Sequence, residues 1–565
     1  MKKSFVRYGW IGVLLLIVLL NLGASLFHVR LDLTSEKRYT LSAATRKLLG
    51  NLHEPVSITL FLAGDMPAGF KKLAGSTSDL LQEFKEISGQ NITYRFEKPG
   101  DGLNDTLKGA FLDSLHRLGL NPINVKAQLK EGEGQEQQYI YPGALVSYRD
   151  RVGAVDLLQG QSAVNGIESL NNAEALLEYK LGAAIRDITR DTVPAIAYLA
   201  GNGEPVGYTA YDLQRTLYAN YNFQLLPLDS VPAIPAGFSA VLIAKPTQAF
   251  TEAQKLKIDQ YIMNGGKVMW MIDNVFAEYD SLQRSQNEFI AFDRGLHLED
   301  QLFRYGARIN LDLVQDLTCD QLPSVIGSMG DKPQIELLPW PYFPLLTNTS
   351  GHPIAKNLDY VGSQFPGSID TVGAPGIRKT LLLTTATASK VLASPARVAW
   401  AFVRTQEDAN TFTRKNIPVA VLLEGKFSSL FTNRISEAEK DSLAAHGQPF
   451  QAASGPGGKQ IVIADGDIAL NAISEKSGPL PMGKNLYTGY QYANKEFMLN
   501  AIDYLTDSSG ILETRGKDYT LRLFDKKKLD EQKGMWQVVN ILVPILAVLL
   551  FTVVYQWLRK RKYQA

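Results

Sequence analysis

The runs Ala195-Ile-Ala-Tyr-Leu-Ala200, Ala240-Val-Leu-Ile-Ala244 and Lys267-Val-Met-Trp-Met-Ile272 decide the fold of this chain. Short, continuous apolar runs of this kind are typical of parallel strands that are covered on both faces. The same pattern returns at Val419 to Leu423 and at Ile461 to Ala464. Amphipathic segments with helical spacing separate the first three runs. The sequence therefore predicts a Rossmann-like or flavodoxin-like α/β domain built on a parallel sheet.

A second α/β pattern precedes this domain. Its predicted elements are a strand at Val56 to Leu62, a helix at Ser78 to Ile87, a strand at Ile92 to Phe96, a helix at Thr106 to Leu118 and a hairpin of Tyr139 to Tyr148 with Gly153 to Leu157. The order βαβαββ suggests a thioredoxin-like layer. Cys319 is the single cysteine, which excludes an internal disulfide and any redox or zinc pair of cysteines. The predicted layer therefore lacks thioredoxin chemistry.

Two uncharged apolar segments lie near the ends of the chain, Tyr8 to Phe27 and Trp536 to Trp557. Each has about 20 residues, the length that a helix needs to cross a bilayer. In chain order we predict a cytoplasmic N-terminus at 1–7, a transmembrane helix at 8–27, a first periplasmic α/β domain at 31–190, a second at 191–510 with an insertion at about 296–414, a membrane-proximal segment at 511–535, a transmembrane helix at 536–557 and a basic cytoplasmic tail at 558–565.

Basic residues flank both apolar segments on their outer sides. Lys2, Lys3 and Arg7 precede the first, and the run from Arg559 to Lys562 follows the second. Because cytoplasmic flanks collect Lys and Arg, we expect both termini in the cytoplasm and the bulk of the chain in the periplasm. An alternative is a signal peptide cleaved near Gly23-Ala24-Ser25, although the first segment is longer than the apolar core of such peptides. We therefore predict a two-pass protein of the inner membrane.

Composition and motifs exclude several classes of function. A net charge of +1 and the absence of a basic stripe argue against nucleic-acid binding. No Walker motif is present, so any ATP hydrolysis belongs to a separate subunit. The six histidines show no metal-ligand spacing, and no serine or cysteine has the glycines of a nucleophile elbow. We predict no catalytic residue, no metal site and no cofactor.

Polar residues follow five of the predicted strands. In a parallel sheet such strand ends share one edge, where α/β proteins bind their ligands. Asn, Asp and Gly are also what strand-to-helix turns require, so a purely structural role is the alternative for each. The sequence thus offers a candidate rim for a ligand or a partner, made of Asn202, Glu204, Lys245, Asp273, Asn274, Glu424, Lys426, Asp465 and Asp467.

Four segments carry a family resemblance: Arg30 to Ser42 (RLDLTSEKRYTLS), Val419 to Phe431 (VAVLLEGKFSSLF), Val462 to Asn471 (VIADGDIALN) and Tyr487 to Asp507 (YTGYQYANKEFMLNAIDYLTD). They resemble GldG proteins of Bacteroidetes, gliding-motility-associated ABC transporter subunits. The resemblance implies an auxiliary subunit, often called substrate-binding, that works with a permease and a separate ATPase. It also implies a GldG/intraflagellar-transport-type α/β domain for the second periplasmic part.

One loop departs from this family pattern. Relatives often carry His between the glycines of Gly201-Asn-Gly-Glu204, where this chain has Asn202. Asparagine does not titrate near neutral pH, which puts an acid–base role of the loop in doubt.

We predict a non-enzymatic auxiliary subunit of an ABC transporter linked to gliding motility. It would act through periplasmic protein–protein contacts, with a permease, a separate ATPase and the bilayer as partners, and without nucleic acid. A membrane helix at each end of the chain suits a fixed extension of a transporter better than a mobile solute carrier. We therefore expect weak or absent small-molecule binding. The alternatives are a periplasmic solute receptor and a hydrolase that uses the carboxylates of the rim.

Overall fold

A computed structural model of the chain describes residues 14–18, 40–128, 135–158, 166–285, 288–329, 332–400, 405–516 and 526–563. It is a mixed α/β structure with several sheets. Contacts divide the chain into two compact units, one up to Lys517 and one from Asp518 onward. The transmembrane helix predicted at 8–27 lies outside the described residues except for 14–18, which are helical and exposed. Residues 517–525 of the predicted membrane-proximal segment also lie outside them.

The described residues of the first part of the larger unit form six strands and four helices. The strands are β1 (Val56–Leu60), β2 (Ile92–Phe96), β3 (Ile123–Gln128), β4 (Gln135–Ile140), β5 (Gly143–Tyr148) and β6 (Arg151–Asp156). The helices are α1 (Ala43–Gly50), α2 (Ala68–Ile87), α3 (Asp105–Arg117) and α4 (Gly166–Thr189). Four strands form a sheet in the order β2-β1-β5-β6, in which β1 is parallel to β2 and antiparallel to β5. β3 and β4 form a separate hairpin that the sequence analysis missed.

The hairpin predicted in this part is confirmed, since β5 and β6 pair and turn at Arg149 and Asp150. Ser42 caps α1, because its Oγ accepts a hydrogen bond from the backbone N–H of Thr45 at 3.1 Å. α2 and α4 cover one face of the sheet with buried side chains such as Phe84 and Leu181. The thioredoxin-like assignment rests on element order and stays a prediction.

The rest of the larger unit begins with β7. Its strands are β7 (Ala195–Ala200), β8 (Asn222–Pro227), β9 (Ala240–Ala244), β10 (Val268–Met271), β11 (Val275–Phe276), β12 (Glu288–Asp293), β13 (Ala307–Ile309), β14 (Asp312–Asp316), β15 (Cys319–Met329), β16 (Lys332–Leu346), β17 (Val361–Gly362), β18 (Ile369–Thr371), β19 (Ile377–Thr384), β20 (Ser389–Ala393), β21 (Ala396–Ala399), β22 (Pro418–Gly425), β23 (Gly458–Ile463), β24 (Ile473–Ser474) and β25 (Gly478–Pro479). Its helices are α5 (Tyr211–Asn220), α6 (Glu252–Met263), α7 (Tyr279–Arg284), α8 (Glu299–Tyr305), α9 (Gln406–Asn410), α10 (Glu437–Ala445) and α11 (Asn494–Thr506).

Seven of these strands form the main sheet, in the order β19-β22-β23-β10-β9-β7-β8. The five strands from β23 to β8 are parallel, which confirms the predicted parallel core. β22 is antiparallel to both of its neighbours. The prediction of Val419 to Leu423 as a further parallel strand is therefore wrong. An apolar run reveals a buried strand but carries no signal for its direction, because burial is the same either way.

The main sheet is buried on both faces, as the apolar runs predicted. Along β10, Met269 and Met271 join the core on the face covered by α5 and α11. Val268 and Trp270 point to the other face, which α6 and α8 cover. This alternation follows from the two-residue period of a strand. The main sheet and the helices on its two faces therefore form three layers.

The insertion contains more strand than the sequence predicted. β11 and β12 pair with each other and β12 pairs with β21, so insertion strands begin before the predicted boundary at residue 296. β19, also within the predicted insertion, joins the edge of the main sheet. An aromatic cluster around Trp340 and Phe365 fills the core of the insertion. The division of 31–510 into two domains stays a prediction.

The second unit consists of one described helix, α12 (Lys526–Tyr563). Its stretch Gln532–Arg561 is long and apolar enough to cross a membrane. Pro544 lies inside this stretch without ending the helix, as membrane helices tolerate. The apolar helix predicted at 536–557 is confirmed.

Candidate functional site

The ends of β7, β9, β10 and β23 meet at the carboxyl edge of the main sheet. There the structure brings together Lys245, Asp273, Asp465 and Asp467 from the predicted rim. Lys245 Nζ contacts both carboxylate oxygens of Asp467 at 2.7 Å and lies 3.4 Å from Asp273 Oδ2. Only 8% of the Lys245 side chain and 5% of the Asp273 side chain are exposed. The predicted meeting of these charges is thus observed, but in a buried cluster.

Two residues of the insertion complete this cluster, and the sequence analysis did not find them. Glu278 Oε2 accepts a hydrogen bond from Lys245 Nζ at 3.0 Å. Glu278 Oε1 accepts another from Arg294 Nη2 at 2.7 Å. Glu278 precedes α7 and Arg294 follows β12, so no strand-end pattern of the main sheet marks either position. We call Lys245, Asp273, Glu278, Arg294, Asp465 and Asp467 the lysine cluster.

Backbone groups hold the acidic members of the lysine cluster in place. Asp273 Oδ1 accepts from the N–H of Gly466 at 2.6 Å. Asp465 accepts from the N–H of Asp467 at 2.7 Å and from that of Gln364 at 2.9 Å. A Cβ at Gly466 would lie 2.5 Å from Lys245 Cβ, closer than real Cβ contacts. Glycine at 466 therefore lets the two loops approach each other.

Burial and like charges set the ionisation of the lysine cluster. Burial, together with the charges of Asp467 and Asp273, raises the pKa of Asp465 well above its usual range. Burial likewise raises the pKa of Asp467 to about 7, against the pull of Lys245. Burial lowers the pKa of the Lys245 ammonium, but the charges of Asp467, Asp273 and Glu278 have a larger effect, so this pKa is raised. Lys245 is therefore a permanent cation at neutral pH.

The carboxylates of the lysine cluster have the spacing of a metal site. Asp273, Asp465 and Asp467 offer oxygens that lie within 4.8 Å of one another. The ammonium of Lys245, however, binds both oxygens of Asp467. The positive charge that these carboxylates require comes from the chain itself, so the donor set is a poor fit to an added cation.

Asn202 and Glu204 lie at the same edge, but their hydrogen bonds run within their own loop and to α6 and the residues before it. Glu204 Oε2 accepts from the N–H of Asn202 at 2.8 Å, and Asn202 Nδ2 donates to Gln254 Oε1 at 3.0 Å. A Cβ at Gly203 would lie 2.0 Å from Thr247 Oγ1. This loop sits where the strand order reverses between β7 and β9, the usual ligand crevice of such sheets. Asn202 and Glu204 are buried there, and their loop packs closely against the loop after β9.

The remaining residues of the predicted rim lie elsewhere. Asn274 Nδ2 donates to the carbonyl of Ile309 at 3.2 Å, a contact with the insertion. Because β22 is antiparallel, its end lies at the amino edge of the sheet, so Glu424 and Lys426 are separated from the lysine cluster. Tyr504 and Arg378 both bind the Glu424 carboxylate. The nine predicted residues therefore do not form a single rim.

Two clefts stand out in the described part of the chain, and the lysine cluster lines neither of them. A cleft of about 370 Å³ lies in the insertion, beside Tyr279, Trp400 and Val325. A larger one of about 640 Å³ lies at the amino edge of the main sheet, between α8 and the loop that follows β22. Lys426 lines the larger cleft. These two clefts and the lysine cluster thus lie in different places.

Comparison with known families gives two matches. Residues 35–147 match a domain of unknown function (DUF7088). Residues 193–501, more than half of the 565 residues and including the whole lysine cluster, match a family described as ABC-type uncharacterized transport system. The fold and this match define a transport-associated α/β protein. The chain belongs to the auxiliary proteins of that ABC-type transport-system family. Membership indicates a non-catalytic role at the membrane and association with permease and ATPase components.

No curated protein matches the sequence. Among solved structures, the mmIFT52 N-terminal domain is 15% identical, with a TM-score of 0.29 over 56% of this chain and 98% of that one. PurLQS from Thermotoga maritima is 7% identical, with a TM-score of 0.23 over 56% and 100%. Exo-beta-1,4-mannosidase Op5Man5 from Opitutaceae bacterium strain TAV5 is 10% identical, with a TM-score of 0.20 over 86% and 57%. At these TM-scores none of the three supports a functional argument.

Proposed function

We propose that the chain is a GldG-type accessory subunit of an ABC transporter, held in the inner membrane at both ends and acting through periplasmic protein contacts. The pairing of Lys245 with Asp467, Asp273 and Glu278 carries this proposal. A site for a solute or for proton transfer needs polar groups directed into an accessible cleft. In this chain the strand-end carboxylates bind an internal cation and backbone N–H groups instead.

The same geometry weakens the two alternative functions. A hydrolase needs two carboxylates within reach of a substrate in a concave pocket. Asp465 and Asp467 are close together, but neither lines a described cleft. A solute receptor of this fold would use the crevice between β7 and β9, where the Gly201–Glu204 loop lies with Asn202 and Glu204 buried. Neither observation conflicts with a function in protein contact.

Affinity capture tests the proposal directly. The full-length chain, tagged after Ala565, is purified from native membranes in a mild detergent, and an unrelated two-pass membrane protein with the same tag is the control. Mass spectrometry should find a multispan permease and a P-loop ATPase with the chain and not with the control. If neither subunit is enriched, the transporter assignment is wrong.

A ligand screen separates protein contact from solute capture. A ligand at a hundredfold excess over its dissociation constant stabilises a protein by about 2.7 kcal/mol, which appears as a higher melting temperature. We expect no saturable shift with peptides, sugars or nucleotides of low molecular mass at the carboxyl edge. A saturable shift that Glu204→Gln or Asp465→Asn abolishes would restore the solute-receptor function.

A further inference from the structure

The larger cleft, at the amino edge of the main sheet, has a distinct chemistry. Its volume of about 640 Å³ is within the range of ligand-binding clefts, roughly 300–1,000 Å³. Its walls are α8, the loop before β19 and the loop after β22. Four basic and two acidic side chains line it, a net charge of +2: Arg304, Arg308, Lys426 and Arg434 against Glu299 and Asp300.

Of the two acidic residues of this cleft, Asp300 is neutralised by neighbours, whereas Glu299 is in no ion pair among the described residues. Asp300 pairs with Lys255 at 2.8 Å and with Arg434 at 3.3 Å. By contrast, neither Arg304 nor Lys426 has a carboxylate within ion-pair distance among the residues that the structure describes. Both side chains belong to exposed residues. These two unpaired cations outweigh the single unpaired anion Glu299, so the cleft keeps a net positive charge that attracts an anionic ligand.

Apolar groups also line this cleft. Phe303, Pro375, Ile377 and Leu430 line the same cleft, and 51% of Phe303 is exposed. An exposed aromatic ring beside arginines is typical of protein interfaces, where Tyr, Trp, Phe and Arg are enriched. A free inorganic anion would leave these apolar groups in water. The cleft therefore fits a ligand that alternates carboxylates with apolar side chains.

We propose that this cleft, lined by Phe303, Arg304 and Lys426, binds an acidic, partly apolar peptide segment of a partner protein. The opposite charges of the cleft and the segment attract each other. Burial of apolar side chains of the segment against the apolar residues of the cleft then stabilises the complex. This proposal depends on the proposed function in one respect: both assume that the chain binds a partner protein. An acidic saccharide is a less suitable occupant, because it offers hydroxyl groups in place of apolar side chains to this floor.

The test uses the full-length chain in lipid nanodiscs and fluorescence anisotropy. The probe is a fluorescein-labelled hexapeptide of alternating aspartate and leucine, and a hexapeptide of alternating lysine and leucine is the charge control. The acidic peptide should bind, and its affinity should fall as salt rises from 50 to 300 mM, because exposed charges are screened. The basic peptide should not bind.

Matched variants locate the binding site. Arg304→Glu with Lys426→Glu should weaken binding about tenfold, which corresponds to about 1.4 kcal/mol. Arg215→Glu with Lys476→Glu, two exposed basic residues outside the cleft, should bind like the wild type. Both pairs should keep the wild-type melting temperature, since none of the four side chains is in a described ion pair.

Three outcomes would overturn the proposal: equal binding of the basic peptide, unchanged affinity in the cleft variant, or tighter binding of a uronic-acid oligosaccharide than of the acidic peptide. These outcomes are distinguishable from failure of the proposed function. The capture experiment reports the permease and the ATPase, whereas the peptide experiment reports the cleft alone.

Discussion

Lys245 has φ = 46°, a left-handed conformation in which a residue with a Cβ costs about 1–2 kcal/mol. Its ammonium is also buried, which adds a desolvation cost. The ion pairs with Asp467, Glu278 and Asp273 offset both terms. A sequence shows that a lysine follows an apolar strand, but not that three carboxylates from separate loops surround it. This is why the residues of the cluster were partly predicted and its closed geometry was not.

Removal of the Lys245 charge should destabilise the larger unit strongly. Lys245→Met keeps most of the volume but leaves buried carboxylates without their cation, which costs about 3–5 kcal/mol. Urea unfolding of the full-length chain, followed by tryptophan fluorescence, measures this loss. Lys476→Met, at an exposed position, should change stability by less than about 0.5 kcal/mol. Lys245→Met with Asp467→Asn should recover part of the loss, and no recovery would contradict this account.

Gly466 provides a test of close packing without a change of charge. Its φ is −78°, so alanine meets no backbone strain there. An added Cβ would nevertheless lie 2.5 Å from Lys245 Cβ and 2.9 Å from its Cα. Gly466→Ala should therefore cost about 1–3 kcal/mol in the same unfolding assay, as overpacking does. Gly455→Ala, where the Cβ meets nothing within 4 Å, is the matched control. Equal stability of both variants would exclude this close approach.

The raised pKa of Asp465 predicts a pH dependence of stability. The folded chain holds a proton on this carboxyl, whereas the unfolded chain releases it near pH 4. The stabilisation from this proton is complete below about pH 4 and is lost as pH rises through the pKa of the folded state. As pH rises from about 4 towards the pKa of the folded state, the wild type should therefore lose stability relative to Asp465→Asn. Parallel stability curves for the two proteins would show that Asp465 is ionised.

Among the elements, strands were predicted better than their directions. β7, β9, β10 and β23 were found because parallel, doubly covered strands are uniformly apolar. β8 was missed, since only Phe223 and Leu226 of its six residues are buried at the edge of the sheet and no continuous apolar run results. β22 was found with the wrong direction, which moved Glu424 and Lys426 to the opposite edge. Direction depends on the connections through the long insertion, and local sequence does not encode it.

α4 links the two sheets of the larger unit. One of its faces packs into the core of the first sheet through Leu181 and Ile185. Its other face carries Arg186, which binds Asp503 of α11 at 3.0 Å and Asp507 at 2.8 Å. Only 8% of the Arg186 side chain is exposed. Contacts of this kind join the parts that the sequence predicted as separate domains.

Loss of Arg186 should weaken this link. Arg186→Met leaves two partly buried carboxylates without their partner, and we expect a loss of about 3 kcal/mol. Arg215→Met, on the exposed face of α5, should be close to neutral. Limited proteolysis of both variants provides a second measurement, because cleavage between α4 and β7 should accelerate in Arg186→Met alone. Equal cleavage rates would mean that α4 is held by its apolar face.

For the whole molecule, the orientation in the membrane is open to a direct assay. The basic residues that flank the apolar ends predict both termini in the cytoplasm. A phosphatase reporter that is active only outside the cytoplasm should be inactive when fused after Ala565. The same reporter inserted at Gly455, in a loop between α10 and β23, should be active. The reverse pattern would contradict both the orientation and the periplasmic location of the larger unit.

The reversal of β22 has a consequence for the divergence of related proteins. It places the structural charges at one edge of the main sheet and the peptide-binding cleft at the other. Substitutions in the loops that line the cleft then leave the lysine cluster unchanged. The binding partner can therefore differ between related proteins while the fold stays stable. Across homologues, Lys245, Asp273 and Asp467 should vary little or change together. Positions 299–304 and 426–434 should instead follow the charge of the segment that each homologue binds.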